Sequence, residues 1–245
     1  MHVSDEAAKR KSDDDAVAFD YESIETGYLD EIYNRRAGIQ SKWHHDKFEL
    51  VIRKLGPYRK HLDIGCGSGT FVSLLSGDST GVDIARPQIA YANKTHGQRF
   101  QQVTGYPYPF EDRSFDLITS IEVIEHLPLD EVTAMLGEAQ RLLTDDGRFV
   151  VTTPNYRSPW PFVEWLSNRV LDYSMEHMHI TKFHAASLKQ ALHDAGFRSV
   201  EMTAFQFSSP FLSPLGWRFS NVVRDIEGHR LPNFLGMLLL ATARK

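Results

Sequence analysis

Between His61 and Thr70 the chain reads HLDIGCGSGT, an apolar strand pattern that runs into three alternate glycines and then into a helical pattern. Only glycine lets a backbone approach a ligand this closely, and the first turn of the helix that follows offers unsatisfied N–H groups to an anion. The segment predicts a strand, a glycine loop and a helix that together hold a nucleotide-type ligand. A dinucleotide fingerprint would place glycine at position 70, where Thr70 stands, and a phosphate loop would need Gly-Lys-Ser/Thr, which the chain lacks. Asp63 lies two residues before the first glycine, and Asp83 ends the next strand. An acid at Asp83 can accept both ribose hydroxyls of an adenosine, and Asp63 can help hold an ammonium group. The expected ligand has adenosine at one end and an amino acid at the other.

The same alternation continues along the chain. Strand patterns at 61–64, 80–84, 99–103, 115–120, 148–153 and 197–205, and in the final LGMLLLATA, are separated by helical patterns at 70–75, 86–94, 129–143 and 186–195. A further helix is read from Ser41 to Leu55, stopped by Gly56-Pro57. Crossover connections of this kind imply a parallel sheet, so the fold class is α/β with about seven strands, mostly parallel. Two stretches break the rhythm. Residues 154–183 and 205–232 are rich in aromatics and proline and are expected as lid-like insertions in a single domain over 41–245, either walling a cavity or packing down as loops. Residues 1–40 are read as a tail, mobile to about residue 20, and an N-terminal cap.

A chain of 245 residues, 42% hydrophobic and 24% charged, can bury one substantial core. With 27 Lys and Arg against 32 Asp and Glu, its net charge of -5 gives no general reason to sit on nucleic acid or an anionic bilayer. Cys66 is the single cysteine, which excludes a disulfide framework within the chain and fits a reducing compartment, so a cytoplasmic location is expected. No apolar run approaches the roughly 20 residues of a membrane span.

Around these residues the sequence resembles the class I S-adenosylmethionine-dependent methyltransferases. The resemblance extends to YPFEDRSFD at 108–116, IEVIEHLP at 121–128 and GRF at 147–149, in order, over about residues 60–155. It implies a Rossmann-like, doubly wound fold with helices on both faces, and S-adenosyl-L-methionine as cofactor. The cofactor positions it implies are Asp63, Gly65, Cys66, Gly67, Gly69, Asp83, Ile84, Thr104, Gly105 and Ile121. That family usually has an Asp near position 104, where Thr104-Gly105 stands here, so adenine contact passes to backbone, the Thr104 hydroxyl or Tyr106. Ile84 either faces adenine or ends its strand in the core.

An activated methyl group leaves the protein to align the acceptor and manage its proton. Glu122, Glu125 and His126 follow the fourth strand at its carboxyl edge, and i, i+3, i+4 spacing would set them on one face of a helical turn. The E-x-x-E-H pattern is similar to that of quinone-biosynthesis O-methyltransferases and of small-RNA 2′-O-methyltransferases. In the RNA group a later histidine completes a metal site, for which His179, or else His177, is the match here. Two readings stay open: a divalent metal held by Glu122, Glu125, His126 and His179, or His126 acting without one. His44 and His45 are further pocket candidates. The aromatic connections favour a small hydrophobic or aromatic acceptor and O-methylation over a nucleic acid partner. N- or C-methylation of another metabolite, small-RNA 2′-O-methylation, and a non-catalytic S-adenosylmethionine-binding protein are the alternatives.

Overall fold

The computed structural model describes residues 25–170, 178–232 and 234–245. The expected mobile tail lies outside the described residues, as does His177. Two helices, α1 (Tyr28–Arg35) and α2 (Gly38–Leu55), precede the first strand. Phe48, Val51 and Leu55 put a buried apolar stripe on α2, and Gly56, at φ +62°, ends it. Then come β1 (Lys60–Ile64), α3 (Thr70–Ser73), β2 (Asp78–Asp83), α4 (Arg86–His96), β3 (Phe100–Gln102), β4 (Phe115–Ile121), α5 (Leu129–Leu142) and β5 (Leu143–Pro154). The chain continues through α6 (Trp160–Val170), α7 (Ala185–Asp194), β6 (Ser199–Phe205), α8 (Trp217–Arg230) and β7 (Leu238–Arg244).

The described residues form a seven-stranded sheet in the order β3-β2-β1-β4-β5-β7-β6. Pairing is parallel from β3 to β5, and β7 runs antiparallel to both β5 and β6. Because side chains alternate along a strand, each strand feeds two cores. In β4, Ile118 belongs to the cluster with Met135, Leu136 and Leu188, whereas Leu117 belongs to the one with Phe48, Val51 and Phe71. Helices α5 and α7 thus cover one face, and α2 and α3 the other. The strand order reverses between β1 and β4, and a crevice outside the carboxyl ends of those strands is where such sheets bind ligands.

Both interrupting stretches contain helices that apolar periodicity does not disclose: α6 in the first, and a 3₁₀ segment (Ser209–Leu215) followed by α8 in the second. The reason is visible in α8, whose buried face is polar. Ser220 donates to the Ser209 carbonyl at 2.6 Å, Arg224 pairs with Asp46 and Glu49 of α2, and Glu227 accepts the Ser208 N–H at 2.7 Å. Its apolar residues Phe219, Val222 and Ile226 face outward. An inverted pattern of this kind leaves no apolar stripe toward the core.

Candidate active site

The glycine loop is shaped by backbone first. Gly67 stands at φ +50° with open space where a Cβ would project, so its backbone faces the crevice bare. Gly69, at φ +78°, serves packing instead: a Cβ there would meet Phe100 at 2.7 Å and Ala92 at 3.0 Å. Both oxygens of Asp83 are held by backbone donors, Gly67 N–H at 2.7 Å and Ala85 N–H at 2.8 Å. This fixes the carboxylate at the loop with lone pairs left over for a ligand. Asp63 is buried and accepts from Thr119 Oγ1 at 2.5 Å. Burial, with the negative charge of Asp83 adding to it, pushes Asp63 up to about 7 against the pull of that hydrogen bond.

These groups open onto a cavity of about 390 Å³. Asp63, Gly65, Cys66, Gly67, Asp83, Ile84 and Ile121 line it, as does Tyr106. Ile84 is 48% exposed, which places it on the cavity wall rather than in the core. Three expected cofactor positions are not among the lining residues: Gly69, for the packing reason above, and Thr104 and Gly105, which are exposed. Val103, like Tyr106, lines it in their place.

The cavity is also lined by His44, Lys47, Glu122, His126 and Met178. The expected helical face of Glu122, Glu125 and His126 does not form. Glu122 adopts φ +56°, and the 3₁₀ turn that follows spans only Ile124–His126. Its carboxylate accepts from Thr152 Oγ1 at 2.9 Å and lies 3.9 Å from Lys47 Nζ, a contact that spacing gave no reason to expect. Glu125, His126 and His179 do converge, one ligand atom of each lying within 4.8 Å of the others, and Glu122 is not in this group. The segment carrying His179 is pinned there by backbone: the Thr181 N–H donates to the Glu125 carbonyl at 3.0 Å, and His126 Nδ1–H donates to the Met178 carbonyl at 2.8 Å.

Burial, reinforced by His179 and Lys47, pushes His126 down to about 4 despite the Met178 hydrogen bond, so its imidazole is neutral near pH 7 with Nε2 as the basic nitrogen. Glu125 is buried and its Oε2 has no hydrogen-bond partner; burial and the nearby Glu122 raise its carboxyl well above the usual range. The Glu125 carboxyl, once ionised, and two imidazoles make a donor set that suits a divalent cation of the carboxylate- and imidazole-binding kind. His45 sits apart, stacked on Tyr33 at 3.8 Å and bonded to the Tyr33 carbonyl at 2.8 Å.

Residues 29–202, well over half the chain, match the family model of the methyltransferase domain. The chain belongs to that family. Its fold is shared with a solved S-adenosylmethionine-dependent methyltransferase of Thermotoga maritima, at a TM-score of 0.66 and 18% identity over 89% of this chain and 96% of that one. Among curated relatives, a sphingolipid C9-methyltransferase of Gibberella zeae is 31% identical over 116 residues, 43% of this chain and 23% of that protein. An O-methyltransferase of Penicillium expansum is 30% identical over 153 residues, 58% of this chain and 53% of that protein. The chain spans about a quarter to a half of the length of these relatives. Among its described residues no helix is long and apolar enough to cross a membrane.

The Asp63 proton provides a first test of the cofactor end. If this carboxylate meets the ammonium group of S-adenosylhomocysteine, the ligand binds the ionised form. Below about pH 7 the carboxyl must shed a proton on binding, so affinity should fall by up to about tenfold per pH unit, and it should level off above about pH 8. Calorimetry between about pH 5.5 and 8.5 checks this, and an affinity that is flat throughout removes Asp63 from the ammonium.

Proposed function

We propose that this chain transfers the methyl group of S-adenosylmethionine to an oxygen of a small hydrophobic or aromatic acceptor. The observation that carries the reading is one cavity whose lining holds Asp63 and Asp83 together with His126, Lys47 and Glu122. In this reading Asp83 takes the ribose hydroxyls, Gly65 and Gly67 admit the methionine end, and Ile84 and Tyr106 flank the adenine. The acceptor enters on the His126 side. With no cation bound, the neutral Nε2 of His126 is suited to receive the hydroxyl proton, while Lys47 supplies positive charge near the oxygen that loses it; a bound cation would take that same lone pair. Glu125, His126 and His179 would hold a divalent cation, which when bound lowers the pKa of an acceptor hydroxyl. Glu122 acts beside them by setting Lys47 and Thr152 rather than as a ligand.

The names of the two curated relatives divide between oxygen and carbon, which makes C-methylation the second reading. Purified protein supplied with methyl-labelled S-adenosylmethionine and a panel of catechols, phenols and unsaturated lipids is expected to form S-adenosylhomocysteine with a catechol or phenol and to label its oxygen. Label on carbon would establish the second reading. Binding of S-adenosylhomocysteine without turnover of any panel member would count against both.

A further inference from the structure

Helix α6 turns two buried side chains, Trp160 and Glu164, toward the same imidazole. They lie four residues apart, on one face of the helix, while Phe162, Trp165 and Leu166 are exposed. The Trp160 ring lies 6.2 Å from the His179 ring, and Glu164 Oε1 lies 2.5 Å from His179 Nδ1. Tyr156, two residues beyond β5, closes the cluster. Its hydroxyl donates to Glu164 Oε1 at 3.0 Å, and its oxygen lies 2.8 Å from the same His179 nitrogen.

An imidazole that donates Nδ1–H to a carboxylate is fixed in one tautomer, with the lone pair on Nε2 and the ring plane set. The His126 and His179 rings lie 5.1 Å apart, and both histidines and Glu125 offer ligand atoms to one point. We propose that Glu164, supported by Tyr156, is a positioning residue that fixes His179 so that its Nε2 joins Glu125 and His126 as the third ligand of a cation site. Docking of α6 through Trp160 and Glu164 is then a step in building the acceptor side, although no residue of this helix lines the cavity. The inference rests on the methyltransferase reading above and on its cation-binding group.

The test uses the full chain, with Mn²⁺ as the probe for the site and S-adenosylhomocysteine as the probe for the fold and cofactor end. Calorimetry should show that the wild type binds both, and that Glu164→Ala binds Mn²⁺ about 10- to 100-fold more weakly with S-adenosylhomocysteine affinity unchanged. Glu164→Gln, which keeps an acceptor for Nδ1–H, should recover part of the loss, and Tyr156→Phe should show a smaller one. Nitrogen NMR of the metal-free protein should show His179 with the proton on Nδ1 in the wild type and a mixture of tautomers in Glu164→Ala. Wild-type protein that takes up no Mn²⁺, or a Glu164→Ala variant with unchanged Mn²⁺ affinity and His179 tautomer, would overturn the proposal. So would a parallel loss of S-adenosylhomocysteine binding in Glu164→Ala, which would mark a folding defect. Failure of the methyltransferase reading looks different: the wild type itself would not bind S-adenosylhomocysteine.

Discussion

Replacing His126 with alanine is expected to lower methyl transfer by about 10²- to 10⁴-fold, the range for loss of a positioned acid–base group, while S-adenosylhomocysteine affinity stays within about twofold. The separation follows from where the residue sits. His126 lies on the turn after β4 and lines the cavity, whereas both oxygens of Asp83 are fixed by Gly67 and Ala85 at the glycine loop. Its Nδ1–H is committed to the Met178 carbonyl, so alanine also removes a tie between the turn and the segment that carries His179. His126→Gln separates these effects, because an amide can keep the bond to Met178 but cannot accept a proton in turnover. It should be nearly as slow as His126→Ala. Glu122→Gln should cost much less, since an amide oxygen still accepts from Thr152 Oγ1 and only the 3.9 Å contact with Lys47 is weakened. Steady-state rates at saturating S-adenosylmethionine decide the matter. A His126→Ala enzyme within about threefold of wild type would remove His126 from the chemistry.

The cofactor end is readable in the sequence because its chemistry is local. Alternate glycines, an acid two residues before them and an acid at the next strand end all lie within His61–Asp83, and the backbone that joins them sets their geometry. The end proposed for the acceptor joins residues distant in sequence. Lys47 comes from α2, Glu122 and His126 from the segment after β4, and His179 from beyond α6. Spacing brought Glu125, His126 and His179 into view but misplaced Glu122, because a helical turn was assumed where the backbone takes φ +56°. Glu164 and Tyr156 went unread for the reason that hid α8. Their helices and connections bury polar side chains and expose Phe162, Trp165, Phe219 and Val222, so apolar periodicity points away from the face that matters. The sheet itself was readable throughout, since strands covered on both faces appear as short apolar runs whatever the connections do.

Replacing Asp83 with alanine should weaken S-adenosylhomocysteine binding by about 1.5–3 kcal/mol, or roughly 10- to 150-fold, the range for hydrogen bonds to an ionised group. Two losses contribute. The carboxylate no longer accepts the ribose hydroxyls, and the Gly67 and Ala85 N–H groups lose the acceptor that now holds the loop at 2.7 and 2.8 Å. Asp83→Asn keeps one carbonyl oxygen for those donors and should fall between wild type and alanine. A cycle that pairs the protein change with a 2′-deoxyribose analogue of S-adenosylhomocysteine isolates the first loss. The analogue should bind the wild type more weakly than the parent ligand does, and the two ligands should bind Asp83→Ala nearly alike. If the analogue loses as much affinity for Asp83→Ala as for wild type, the ribose hydroxyl is held elsewhere. Asp83 then keeps only its structural work, with its oxygens turned to Gly67 and Ala85 as a clamp on the glycine loop.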